Sequence, residues 1–372
     1  MRKFALAFAV MIAVSSFFAP VAAAAGVLDE GETDGDCIYS LYSEDGEFLT
    51  MRAARMYVDD EYIAGDNRHF QITRVDDEAC KAYAEFLGIE QVEAMTLDDA
   101  QAAFAALAEA SGGTKTIGMY STHSDESYVP NDGDYSKLKN AGIYDVGEAF
   151  KKALEEKGIS VTYSQRTFLP HDTGAYSRSR STAEELIKKS PDALFDIHRD
   201  AIPAEQYETE VGGEEVSKIR LFVGKRNPNS DTNLAFAKQI KATADELHPG
   251  LIKDIYRGKG NYNQELYPKA LLLEMGTHEI DKDLVIKSTE YMADVVNTVL
   301  YGEGAQAAEQ PTQKQSEKGS WKGIAWVVGI AIVAAAVFAF FQTGKFSGAW
   351  DKLKHTTSEL TGGSAGKRNK KQ

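Results

Sequence analysis

The sequence predicts an α/β protein: a largely parallel sheet flanked by helices, with a small β-rich domain before it and a transmembrane helix after it. Three observations carry that expectation. From Lys115 to Tyr301, short apolar runs alternate with helix-period segments, the pattern of strands joined by crossover helices. Residues 35–76 instead alternate apolar and polar positions with a period of two, broken by turn residues. An apolar stretch stands near each end of the 372-residue chain, outside any soluble core.

Residues 1–25 (MRKFALAFAVMIAVSSFFAPVAAAA) have the layout of a secretory signal peptide. Arg2 and Lys3 open it, an apolar run reaches Phe18, and small residues after Pro20 offer A-x-A-like cleavage sites. An uncleaved anchor is the alternative, though the apolar stretch is short for a span. The acidic run Asp29–Asp36 reads as a solvated leader, since its oxygens lack calcium-loop spacing.

Residues 27–112 read as an accessory β-rich domain with linker helices. CIYSLYSEDGEFLTM is a hairpin about Asp45-Gly46, and RMYVDDEYIAGDNRHFQITRV adds strands around Gly65-Asp66-Asn67. Helices are expected over 78–87 and over 97–110, the second starting from Thr96 as N-cap and closed by Ser111-Gly112-Gly113. Cys37 and Cys80 lie in the exported part, where a disulfide persists; two separate thiols are the alternative.

Residues 113–301 form the second domain. Strands are expected at KTIGMYS, ISVTYS, ALFDIHR, SKIRLFVG, LIKDIYR and KALLLEMG, with helices over 145–158, 174–189, 231–247 and 281–300. Residues 302–320 are a polar tether, and 321–342 a membrane span. Within that span Ile324–Phe341 carries no charge over 18 residues, and Trp321 and Trp326 sit at interfacial positions. Its all-round apolarity argues against the alternative of a buried core helix. In residues 342–372, seven Lys/Arg face two Asp/Glu, against a net charge of −15 for the whole chain. The basic tail, 343–372, is therefore expected in the cytoplasm and the acidic body outside. That acidity argues against nucleic acid as a partner.

In parallel sheets, functional groups gather beyond the carboxyl ends of strands. Three such ends are rich in reactive groups: Thr122 to Tyr128, His198-Arg199-Asp200, and Glu274 to His278. A zinc hydrolase needs His and carboxylate ligands, an open position for water and a carboxylate base. His123, Glu126 and His198 supply a ligand set. Glu274 suits the base, because four apolar residues before it imply desolvation. Taken singly, each His is as readily a hydrogen-bonded structural residue. Ser121 or Ser124 beside His123 could pair as a nucleophile, but G-x-S-x-G is absent from the sequence. The run His171–Arg180 suits either a substrate groove or a solvated helix start. His69, His248 and His355 fall outside the strand-end pattern and are expected at the surface.

The segments Met119–Tyr128 (MYSTHSDESY), Phe195–Asp200 (FDIHRD), Asn263–Leu266 (NQEL) and Leu272–Gly276 (LLEMG) resemble, in the same order, the stage II sporulation protein P family of peptidoglycan hydrolases. The resemblance covers roughly residues 115–300. It implies a fold similar to that of zinc-dependent N-acetylmuramoyl-L-alanine amidases, and removal of stem peptides from the glycan with additional cleavage of peptide cross-links. By motif, it implies Zn2+ on His123, Glu126 and His198, Glu274 as the catalytic carboxylate, and Arg199, Asn263 and Gln264 as substrate contacts. It also implies a companion lytic transglycosylase as partner. The chain departs from the family pattern at Ser121, where a further histidine is usual, and in carrying its anchor at the C-terminal end. A wall-binding protein that has lost turnover is the alternative reading; the joint presence of His123, His198 and Glu274 argues against it.

Overall fold

A computed structural model describes residues 37–90 and 114–302. The expected signal peptide, the helix at 97–110, the tether, the span at 321–342 and the basic tail lie outside the described residues. Among the described residues, no helix is long and apolar enough to cross a membrane.

The N-terminal strands are β1 (Tyr39–Ser43), β2 (Phe48–Arg52), β3 (Glu61–Ile63), β4 (Arg68–Asp76) and β5 (Lys81–Ile89). The β1–β2 hairpin turns as the Asp-Gly pair predicts: Gly46 has φ +85° and its N–H donates to Ser43 O at 3.0 Å. Asn67, at φ +68°, makes the corresponding turn between β3 and β4. The helix expected over 78–87 is not formed; most of that segment is β5. Ala, Glu and Leu favour a helix, but the preference is a small energy per residue, and β5 has a parallel partner in β1 on one side and an antiparallel one in β4 on the other. Ala82 and Ala84 are wholly buried on its inner face. Cys37 and Cys80 are joined as a disulfide, Cα to Cα 6.1 Å, fastening the approach to β1 to the approach to β5.

From Thr116 the expected alternation holds: β6 (Thr116–Tyr120), α1 (Gly142–Glu156), β7 (Ser160–Tyr163), α2 (Ala175–Ile187), β8 (Ala193–Asp200), β11 (Ile219–Gly224), α3 (Ser230–Leu247), β12 (Ile252–Gly258), β13 (Ala270–Thr277) and α4 (Lys282–Tyr301). Between β8 and β11 a separate hairpin, β9 (Glu208–Val211) with β10 (Glu214–Ser217), turns on Gly212-Gly213. The sequence reading did not anticipate it.

All strands but that hairpin form one sheet, ordered β2-β1-β5-β4-β3-β12-β11-β13-β8-β6-β7. From β12 to β7 four of the five joins are parallel, the exception being β11 with β13. Helices α1, α3 and α4 cover one face, burying Met119, Phe195, Ile197, Leu221, Leu273 and Met275 against Phe150, Phe236 and Val296. Helix α2 packs on the other face through Ala183 and Leu186, against Tyr120, Leu194 and Ala270. With both faces covered, the strands are apolar almost throughout, which is why they were legible as short apolar runs.

The N-terminal strands join this sheet antiparallel, β3 on β12, and then curl back over its second face. Edge strand β2 comes to lie across β11 and β12. Arg220 Nη2 donates to Thr50 Oγ1 at 2.7 Å and to Met51 O at 3.0 Å, and the Arg52 guanidinium stands 4.9 Å from the ring centroids of both Phe222 and Tyr256. A second core fills the curl, with Leu41, Met56, Phe70 and Ile72 against Phe222, Tyr256 and Leu272. Each such side chain contributes roughly 1.5–3 kcal/mol on burial.

Candidate active site

Strands β6, β8 and β13 run in one direction, so their carboxyl ends share a rim. Beyond Tyr120 the chain dives into the protein: Ser121 to Ser127 are all polar and all buried. Such a segment is stable only if its polar groups are bonded internally. Asp196 on β8 provides the anchor, accepting from Thr122 N at 2.8 Å and from Thr122 Oγ1 at 2.6 Å. That anchor sets His123 and Glu126 against His198, two residues beyond Asp196 on the same strand face.

The three expected ligands thus meet. One ligand atom from each of His123, Glu126 and His198 lies within 4.8 Å of the others, and all three residues are buried. Glu126 Oε1 is 3.5 Å from His123 Nδ1 and 3.7 Å from His198 Nδ1. A tetrahedral zinc ion with bonds of about 2.1 Å spaces its ligand atoms about 3.4 Å apart, so this set fits that ion. The supporting contacts fit as well. Glu126 Oε2 accepts from Arg199 N at 3.0 Å, and Asp196 Oδ1 stands 3.0 Å from His198 Nε2, close but off hydrogen-bond alignment. Carboxylates behind ligating imidazoles are the usual outer shell of such sites.

The electrostatics favour a cation here. Burial disfavours a charged imidazole, yet the Asp196 and Glu126 carboxylates hold His198 well above the ordinary histidine range. Burial likewise opposes a charged Glu126, but His198 and His123 hold it well below the usual carboxyl range. The cluster is therefore a cage that stabilises positive charge, as a divalent ion requires.

Glu274 lies directly across from His198 in the β13–β8 register. Burial pushes its carboxyl up to about 8, and the Asp200 carboxylate adds to the push. Oε2 is shielded from solvent and has no hydrogen-bond partner among the described residues. The desolvated carboxyl expected from the apolar run before it is present. Gly276, at φ +73°, interrupts the β13–β8 register between Glu274 and Thr277, where a side chain would press on Ser217 Oγ and Val285 Cγ2, both 2.8 Å from its Cβ position.

Arg199, Asn263 and Gln264 are buried, with their side chains engaged by the protein itself. Arg199 Nη2 donates to Tyr135 O at 2.8 Å. Asn263 Nδ2 donates to Tyr176 O at 2.9 Å. Gln264 accepts from Gly224 N at 2.8 Å and donates to Phe222 O at 2.9 Å, stitching the end of β11. Ser121 Oγ is 3.2 Å from Tyr163 Oη, and Ser124 Oγ accepts from Phe168 N at 2.9 Å. His69 and His248 are not free surface residues: each is largely buried against a carboxylate, Glu90 at 2.8 Å and Asp294 at 3.3 Å respectively, and His355 lies outside the described residues.

Sequence reasoning missed three groups at the site. His171 stacks on His123 with ring centroids 4.1 Å apart, and its Nδ1 is 3.0 Å from Asp125 Oδ1. Tyr176 lies parallel to His198 at 6.1 Å. Both come from the run His171–Arg180, whose polarity was its only signal. Asp196 was also missed, although a carboxylate two residues before His198 must share its strand face. A cavity of about 570 Å³, lined by Arg55, Tyr57, Asp77, Lys225 and Lys259, opens at the opposite rim, where β11 and β12 end.

The family described as Stage II sporulation protein P (SpoIIP) matches residues 56–297. The chain is 27% identical over 227 residues to stage II sporulation protein P of Bacillus subtilis (strain 168), covering 56% of this chain and 57% of that protein. It therefore spans little more than half the length of that curated relative. Among solved structures, the N-acetylmuramyl-L-alanine amidase Ami1 from Mycobacterium abscessus is similar with a TM-score of 0.32 at 14% identity, over 50% of this chain and 96% of that one. The CwlD amidase from Clostridioides difficile, solved in complex with the GerS lipoprotein, gives 0.33 at 13% identity, over 51% and 96%. Likenesses this distant carry no functional weight.

Proposed function

The chain belongs to the stage II sporulation protein P family, and from that premise we propose that it is a zinc-dependent N-acetylmuramoyl-L-alanine amidase acting on peptidoglycan, with cleavage of peptide cross-links as a second activity. The observation that carries the reading is the buried His123–Glu126–His198 cluster, spaced for one divalent ion, with the desolvated Glu274 across from His198. The reading extends to place. The body works outside the membrane, held by the span at 321–342 with its basic tail in the cytoplasm, in wall remodelling during sporulation alongside a lytic transglycosylase.

His123, Glu126 and His198 would hold the zinc. When bound, that ion polarises the scissile carbonyl and acidifies a water molecule. Glu274 Oε2, shielded from solvent, takes the proton of the attacking water and returns it to the leaving amine. Arg199 N fixes Glu126 through Oε2, and Thr122 fixes Asp196 behind His198, so neither ligand swings when substrate enters.

Incubating purified sacculi with the full chain and zinc tests this, with mass spectrometry of the released fragments. Free stem peptides are expected, and cross-link products would report the second activity. Glu274→Gln should keep zinc and lose at least about a hundredfold in rate. Sacculi left unchanged by the zinc-loaded wild type would overturn the reading.

A further inference from the structure

Behind Glu274 lies a second buried polar cluster that the catalytic reading does not use. Arg220, 1% exposed, is in register with Glu274 on the adjacent strand. Its Nε donates to Asp254 Oδ1 at 2.7 Å, Nη2 to Asp254 Oδ2 at 3.1 Å, and Nη1 to Asp200 Oδ2 at 2.9 Å. Tyr207 Oη donates to the same Asp200 oxygen at 2.9 Å. Three carboxylates, Asp200, Asp254 and Glu274, therefore share one buried region with Arg220 and Lys253 as counter-charges. An arginine whose closest acceptor is withdrawn in such a place would re-aim its fork and take its carboxylates with it.

The closest of the three acceptors around Arg220 Nη2 comes from far away. Thr50, wholly buried on β2, receives Arg220 Nη2 at 2.7 Å and Lys253 Nζ at 2.7 Å on one hydroxyl oxygen. The neighbouring Met51 O receives Arg220 Nη2 at 3.0 Å. Both residues precede the segment matched by the family, 56–297. We propose that Thr50 is a positioning residue for the active site: its hydroxyl clamps Arg220, which holds Asp200 and the space beside Glu274 in working geometry. The strand that wraps the sheet is then a component of the hydrolase rather than an appendage. The proposal rests on the hydrolase reading above and names a residue outside the family-matched segment on which that chemistry depends.

Thr50→Val keeps the shape and removes the acceptor; Thr50→Ser keeps the acceptor and removes the methyl. Both are compared with the full wild-type chain, zinc-loaded, on glycan strands solubilised from sacculi, with kcat, KM, zinc content and Tm measured. For Thr50→Val, kcat is expected to fall about tenfold with KM and zinc content within about twofold, because small misplacements at a reacting centre act on turnover. Thr50→Ser should return kcat to within about twofold of wild type. Should the valine variant not fold, Arg220→Lys serves instead, since an ammonium cannot reach Asp254, Asp200 and Thr50 at once; the same kcat loss is expected. An unchanged kcat in Thr50→Val, whatever its Tm, overturns the proposal. So does a serine variant as slow as the valine one, which would make the methyl group the cause. A wild type without turnover fells the hydrolase reading and this one with it, whereas an active wild type matched by its valine variant fells this one alone.

Discussion

Replacing Asp196 by Asn is the sharpest test of how the metal site is held. Asp196 ligates nothing; its Oδ1 stands 3.0 Å from His198 Nε2, and Thr122 pins it by two hydrogen bonds. Asn preserves the size of the side chain and retains an oxygen for the Thr122 N–H, so the loop carrying His123 and Glu126 stays in place. What disappears is a full negative charge beside the His198 ring. Losing such a partner weakens metal binding about 10- to 100-fold, or ~1.4–2.7 kcal/mol. Competition against a chromogenic zinc chelator measures this directly, with Tm of the metal-free protein as a control for folding. An Asp196→Asn protein that folds normally and binds zinc within a factor of two of wild type would refute the argument. It would mean that His198 is oriented by its strand alone and that the carboxylate behind it is incidental.

Two further outcomes follow from the fold. At the β3–β12 seam, burial opposes a charged Glu61, but His69 faces its carboxylate at 3.5 Å, Lys225 bonds it and Arg257 stands close, holding it at about 2 against an ordinary 4.5. A depressed carboxyl stabilises the folded state above pH ~4.5, and that contribution is lost as pH falls towards 2. After solvent screening it amounts to about 2 kcal/mol, and Glu61→Gln should flatten the corresponding acid limb of a Tm–pH curve. An identical limb in the variant would remove Glu61 from the seam's stability. Gly276→Ala forces an L residue into φ +73° with a Cβ 2.8 Å from Ser217 Oγ and Val285 Cγ2, and should lower stability by about 2 kcal/mol or more in urea titration. A change under ~0.5 kcal/mol would show that β13 relaxes freely there.

Much of this architecture was legible because it is written in local periodicity. The strands of residues 115–301 are short apolar runs, since a sheet covered on both faces tolerates little else, and the helices between them keep a 3.6-residue period. His123, Glu126, His198 and Glu274 were legible as a cluster because parallel strands deliver their ends to one rim. What failed was local preference against remote partners. β5 reads as a helix residue by residue and becomes a strand because β1 and β4 flank it. The β9–β10 hairpin has a Gly-Gly turn signal, but its strands, ETEV and EEVS, are too acidic to read as strands. The stacking of His171 on His123 and the reach of Thr50 to Arg220 had no signature at all, because each is a distance across the fold and not a spacing along the chain.

The wrap of β2 over the sheet sets an order of events. Thr50 lies early in the sequence, but the arginine it meets is 170 positions further on, and the strand bearing Glu274 comes later still. Closing loops of that length is among the slower steps a chain makes. A chain made from its first residue therefore cannot bring Glu274 beside His198 and Arg220 until β13, the final strand in sequence, has been made. Completion of that rim is set by the distance between first and final strands.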